Sequence, residues 1–125
     1  IFLLSPTTTD ARVARIAEQA SGFLYYVSFK GVTGATRLDI DAVAAKVGHL
    51  KSIAALPIGV GFGIRDAESA ARVSQAADAV IVGSALVRHI AESTDHPEAI
   101  AQRIADELRA MREAMDAQQP AVAVS

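Results

Sequence analysis

Four times along this chain a short apolar run gives way to a turn and then to apolar residues at helical spacing. That alternation constrains the fold more than any other feature. Continuous apolar strands separated by amphipathic helices bury themselves as a parallel sheet covered by its crossover helices. The strands are expected at residues 1–4, 23–28, 58–62 and 79–82. The second, Phe23-Leu24-Tyr25-Tyr26-Val27-Ser28, reads as buried on both faces, with Tyr25 and Tyr26 on opposite sides. Pro57 opens the third, a position where proline is tolerated.

The helices follow from periodicity and from capping residues. The first is expected from Thr9 or Asp10 to about Ala20, with Val13, Ile16, Ala17 and Ala20 on one side. The second begins at Asp39 and repeats Ile40, Val43, Ala44, Val47 and Leu50. Asp66 is a good N-cap for a third, reaching Ala76. Gly83-Ser84 opens a short fourth through Ile90. Pro97 suits the first turn of a last helix to about Met115, and residues 118–125 read as a frayed tail.

Composition narrows the function classes. The 125 residues make one domain, 51% hydrophobic, which supports a real core. The formal net charge is −2 and the basic residues are scattered, so no basic stripe points to nucleic acid. No run approaches the roughly 18–20 apolar residues of a membrane span. There is no cysteine, which removes thiolate and disulfide chemistry and is compatible with a reducing cytoplasm. Ile1-Phe2-Leu3-Leu4 opens without a cap or turn before it, and reads as a strand inside a larger protein.

Four strand–helix units are half of an eight-unit barrel. An open flavodoxin-like sheet has the same periodicity. The short extra helix after the fourth strand favours the barrel, where a phosphate site at the last βα loops goes with such a helix. The expected fold is therefore α/β, the C-terminal half of a TIM (βα)8 barrel over residues 1–125.

Three glycine motifs sit just after strands: Gly31-Val32-Thr33-Gly34, Gly61-Phe62-Gly63-Ile64 and Gly83-Ser84-Ala85. Backbone approaches an anion closely where a side chain is absent. At the start of a helix the first amides lack internal partners and carry the positive end of the dipole. The simpler reading of Gly83-Ser84 is a tight turn and a cap. For Gly59 it is close backbone packing, and for Phe62 a core aromatic. The Gly31–Gly34 segment lacks a Lys-Ser/Thr ending, so it is no Walker loop, and Lys30 and Arg37 read as solvated loop charges. No Asp or Glu lies within or directly after any expected strand. Asp66 reads as a cap and Asp78 as a structural residue on the opposite end of the sheet. His49, His89 and His96 fall on helices or loops without metal-ligand spacing. A phosphate site is thus visible, and an acid–base pair is not.

In order and spacing, Tyr25, Gly31-Val32-Thr33-Gly34, Gly61-Phe62-Gly63-Ile64 and Val82-Gly83-Ser84-Ala85 resemble the C-terminal half of tryptophan synthase alpha subunits. Leu4-Ser5-Pro6-Thr7 resembles that family's fifth strand and its turn. The resemblance implies an eight-stranded barrel that cleaves indole-3-glycerol phosphate to indole and glyceraldehyde 3-phosphate. It implies no cofactor in this chain. It also implies an alpha2-beta2 complex with a beta subunit that carries pyridoxal phosphate and receives the indole. Carried over by residue, the phosphate would be held by Gly34, Gly63, Gly83 and Ser84. Tyr25, Phe62 and Ile64 would form the substrate pocket, with Phe62 on the indole and Tyr25 near the glycerol chain. Thr33 would belong to a lid loop. Phe29-Lys30 departs from more polar or basic residues at the start of that loop in some relatives. The family's catalytic glutamate and aspartate come from its N-terminal half, so this chain would be inactive alone. The alternatives are half of another phosphate-binding barrel, such as an indole-glycerol-phosphate synthase or a histidine-pathway relative, and a non-catalytic phosphate-binding or assembly module.

Overall fold

The computed structural model describes residues 1–28, 39–61 and 63–118. Among them, β1 (Phe2–Leu4), β2 (Leu24–Val27), β3 (Ile58–Gly61) and β4 (Ala79–Ile81) form one parallel sheet. Helices α1 (Asp10–Gln19), α2 (Ile40–Ile53), α3 (Ala67–Ser74) and α4 (Ser84–Glu92) follow the strands in turn. A 3₁₀ turn at Pro97–Ala99 then leads into α5 (Ile100–Asp116). The strand order is β1-β2-β3-β4, strictly sequential. An open flavodoxin-like sheet reverses direction at a switch point, and this sheet has no reversal. Sequential parallel order is the arrangement of a (βα)8 barrel segment.

Alternation within the strands divides the sheet into two faces. Leu4, Leu24, Tyr26, Ile58 and Val60 are buried toward the helices. There they join Val13 of α1, Val43, Val47 and Leu50 of α2, Ala70 and Val73 of α3, and Met111 of α5 in one core. Burial raises the pKa of the Tyr26 hydroxyl. The other face carries Tyr25, Val27, Gly59, Gly61 and Ile81. The expectation that β2 is buried on both faces is corrected here, since Tyr25 and Val27 are only half-buried while Leu24 and Tyr26 are buried. A continuous apolar run reports two apolar faces, but this chain supplies helices for one of them.

The end opposite the glycines is pinned by Asp78. Its carboxylate accepts from the Ile58 amide at 2.9 Å and from Lys51 Nζ at 2.9 Å, and its own amide donates to the Ile58 carbonyl at 2.9 Å. Desolvation pushes the Asp78 pKa up. The two donors together outweigh it and hold the carboxyl below its ordinary range. Asp78 is structural, as its place before β4 suggested.

Element ends differ in small ways from the sequence reading. Strands β1, β2 and β4 are shorter than expected, and α4 runs on to Glu92. Thr9 occupies the N-cap position of α1 without a side-chain cap bond, and Asp10 turns its carboxylate to His49 on α2 at 2.9 Å. Pro97 opens the 3₁₀ turn rather than α5 itself. His96 lies at the surface and its Nδ1 is 3.2 Å from the Glu98 carboxylate. Among the described residues no helix is long and apolar enough to cross a membrane.

Candidate functional site

The glycine-bearing turns lie at the C-terminal edge of the sheet. Gly61 of β3 pairs with Ile81 of β4. Gly63 and Gly83 each stand two residues beyond that register pair, so adjacent parallel strands, about 4.8 Å apart, bring both turns to one place. Ser84 is the first residue of α4. Gly63, Gly83 and Ser84 therefore all follow the same edge of the sheet. Gly34, Thr33, Phe62, Lys30 and Arg37 lie outside the described residues, as does nearly all of the tail.

The two turns are built differently. Gly63 has φ +79°, a left-handed conformation that favours glycine whatever the ligand. After it, α3 is closed by its own side chains. Asp66 accepts from the Ser69 amide at 2.8 Å while the Ser69 hydroxyl accepts from the Asp66 amide at 3.2 Å, a reciprocal capping box. Hydrogen bonding to the carboxylate from the Ser69 amide and then from the Ser69 side chain lowers the Asp66 pKa, helped by Arg65 and opposed by burial. The α3 terminus thus already holds a carboxylate.

At α4 the N-cap is Gly83, with φ −129° and no side-chain cap. Among the described residues, apart from its two chain neighbours, none places an atom within 4 Å of where a Gly83 Cβ would be. Its carbonyl accepts from the Leu86 and Val87 amides at 3.0 and 3.1 Å, so the helix is regular from its first turn. A helix start of this kind directs its first amides and its positive dipole end outward. Neither left-handed backbone nor crowding by the described residues accounts for glycine at 83.

Tyr25 lies on the same face and reaches across to β3. Its ring carbons stand 2.7 Å from where a Gly61 Cβ would be, so glycine at 61 is what lets the phenol lie over the strand. Gly59 plays the same part beneath Phe23 and Ile81. Ser28, just past β2, donates both its amide and its hydroxyl to the Gly61 carbonyl, at 3.2 and 2.9 Å. This fastening ties the residue after β2 to the end of β3, and the sequence pattern gave no sign of it. Ile64, expected in the pocket, is 3% exposed and joins the core cluster, so its side chain packs under the turn.

Among the described residues no group of three His, Asp or Glu side chains is placed to hold a metal ion. The histidines are each engaged elsewhere: His49 with Asp10, His89 with Glu107 and His96 with Glu98. The described strand tips offer amides, a hydroxyl and a phenol. That set can hold and orient an anion, and contributes no carboxylate for proton transfer.

Comparison with known proteins agrees with this architecture. A family model described as tryptophan synthase alpha chain matches residues 1–116. The tryptophan synthase alpha chain of Thioalkalivibrio sulfidiphilus is 60% identical over 116 residues, which are 93% of this chain and 44% of that protein. The one from Marinobacter nauticus is 55% identical over 116 residues, 43% of its length. The crystal structure of tryptophan synthase subunit alpha from Legionella pneumophila superposes with a TM-score of 0.78 at 38% identity, covering 93% of this chain and 42% of that one. The chain thus spans under half the length of the relatives it matches.

Proposed function

The chain belongs to the tryptophan synthase alpha chain family, and from that premise we propose that it forms the phosphate-anchoring part of an enzyme that cleaves indole-3-glycerol phosphate. The products are indole and glyceraldehyde 3-phosphate, as part of tryptophan biosynthesis in the cytoplasm. The observation that supports the proposal is that Gly63 and Gly83 each follow the Gly61–Ile81 register pair by two residues, beside an α4 terminus without a side-chain cap and with no described neighbour crowding Gly83.

In this reading the substrate phosphate accepts from the amides of Ser84 and Ala85 and from the Ser84 hydroxyl, with Gly63 and Gly34 closing the turn from the neighbouring loops. Phe62 packs on the indole ring. The Tyr25 phenol lies beside the glycerol chain, and Thr33 belongs to the segment that closes over it. Anchoring at the phosphate fixes the distance and angle of the reacting carbon, which is where positioning lowers a barrier. Proton transfer comes from elsewhere. An acid protonates the ring carbon while a base takes the indole nitrogen proton. The glycerol hydroxyl beside the ring carbon then loses its proton to become the aldehyde as the carbon–carbon bond breaks, the bonding electrons return to the ring and the nitrogen regains a proton. Each acid–base group is worth roughly 10²–10⁴-fold. Those carboxylates belong to the N-terminal half of the full-length relatives. The α chain works without a cofactor. Pyridoxal phosphate resides in the beta subunit, which accepts the indole in an alpha2-beta2 assembly.

Titration with glycerol phosphate tests the anchoring role. Gly83→Asp adds a negative charge at the helix start, into space that is open in the fold. It is expected to remove binding, since a charge-assisted hydrogen bond alone is worth about 1.5–3 kcal/mol. Equal affinity in two equally folded proteins would take Gly83 out of the site.

A further inference from the structure

The large apolar side chains left exposed among the described residues fall into two groups, one on each side of the sheet. On the β1 side, Ile1, Phe2 and Leu3 stand 65%, 46% and 63% exposed. On the β4 side, Val87 and Ile90 of α4 and Leu108 of α5 stand 61%, 48% and 42% exposed. The helix layer follows the strands, since α1 packs on α2, α2 on α3, α3 on α5 and α5 on α4. Helices α4 and α5 therefore end the layer beyond β4, and α1 ends it at β1. Both outer strands are unpaired along one side. Leu3 and Ala79, the two ends of one row across the sheet, are both exposed on the face turned away from the core helices.

We propose that two copies of this chain pair head to tail, β4 of each beside β1 of the other, and close an eight-stranded parallel barrel about a twofold axis. The strand order is sequential and parallel, so β1 of a second copy can follow β4 in the same sense as β4 follows β3. A contact between two different edges either closes into a ring or runs on as an open assembly. Parallel strands in this arrangement close at eight, and the four of each copy make that number with two copies. Each seam then brings the apolar group at Ile1, Phe2 and Leu3 to the side that carries Val87, Ile90 and Leu108, so both exposed groups are covered by one operation. In the full-length relatives more than half of the chain lies outside the matched segment, enough for four further strand–helix units. On its own, this chain meets the same need with a second copy of itself. All strands run the same way about the axis, so both copies present their Gly63 and Gly83 turns at one mouth. The pairing does not depend on what those turns bind.

Sedimentation equilibrium of the purified chain tests the pairing. Wild type should show twice the mass of one chain, with no larger species, over a range of loading concentrations. Leu3→Lys blocks the β1 side and Ile90→Glu blocks the β4 side. Each variant alone should be monomeric, because every seam uses one side of each kind. Mixed in equal amounts, the two variants should form a dimer, since one seam is then free of substitutions and the other sets lysine against glutamate. Circular dichroism checks that each variant keeps its helices, and Val87→Glu replaces Ile90→Glu if that variant does not. A wild-type chain that grows into ever larger species would overturn the closed dimer. Persistent dimers of Ile90→Glu or Val87→Glu alone would mean that β1 pairs with β1, and a mixture that stays monomeric would remove the head-to-tail seam. A wild type that is monomeric alone yet pairs one-to-one with the N-terminal half of a full-length relative would assign both sides to that half and overturn the proposal.

Discussion

The phenol of Tyr25 lies over Gly61 on the neighbouring strand, with ring carbons 2.7 Å from where a Gly61 Cβ would stand. One residue thus supplies the space the other fills, on the sheet face turned away from the core helices. The glycine between Val60 and Phe62 is explained by packing before any ligand is considered.

Gly61→Ala should destabilise the protein by about 1–3 kcal/mol, the usual cost of overpacking. The clash is with an aromatic ring lying across the strand, so Tyr25→Ala in the same chain should recover much of the loss. Chemical denaturation of the two single variants and the double variant measures the coupling. Additive effects would mean that the two residues do not compete for the same space.

Asp78→Ala should cost about 1–2 kcal/mol at neutral pH, because it strips the Ile58 amide of its acceptor and Lys51 of its partner, the latter screened by solvent. The folded pKa of Asp78 is depressed. Its contribution is therefore complete above the ordinary carboxylate pKa of about 3.9 and is lost as pH falls through the folded value. The stability gap between wild type and variant should narrow on acidification, as followed by urea denaturation at stepped pH. A gap that stays constant into acid would show that the charge on Asp78 is irrelevant.

Asp66 separates capping from charge. Asp66→Ala should lose about 1 kcal/mol as the α3 cap disappears, whereas Asp66→Asn keeps a good N-cap and should stay near wild type. Asp66 also has a depressed pKa, so its added stability is likewise present above the ordinary carboxylate range and fades below it. Thermal melts at two pH values would check both points. Equal destabilisation by Ala and Asn would contradict the cap.

The exposed apolar edge of β1, with Ile1 at 65% and Leu3 at 63%, should make the isolated chain self-associate. Leu3→Lys is expected to reduce that association in sedimentation experiments while leaving the circular dichroism spectrum unchanged. A monomeric wild-type chain would argue that this edge is already protected.

Much of the architecture was legible because it is local. The 3.6-residue spacing of Val43, Val47 and Leu50 and the capping chemistry of Asp66 sit within a few residues of what they determine. The glycines after β3 and β4 marked the turns for the same reason. The opposed faces of Tyr25 and Tyr26 followed from the pleat alone. What pairs across the fold was not legible. Tyr25 over Gly61, Ser28 on the Gly61 carbonyl and His89 on Glu107 depend on which elements lie side by side, and a single sequence carries no record of that. The reading of β2 as covered on both faces went too far because apolar composition states a need for cover, not its source. Ile64 was given to the pocket by motif, while its burial is decided by the course of the turn after Gly63.

The central claim is that this chain anchors the substrate and depends on carboxylates supplied from outside it. Indole release from indole-3-glycerol phosphate tests it most directly. The purified chain is assayed alone, then mixed with the separately produced N-terminal half of a full-length relative, then with beta subunit added. The account predicts no turnover above background for the chain alone, measurable turnover for the mixture and a further rise with beta subunit. Substantial turnover by the chain alone would contradict it, since a base would then exist among these 125 residues.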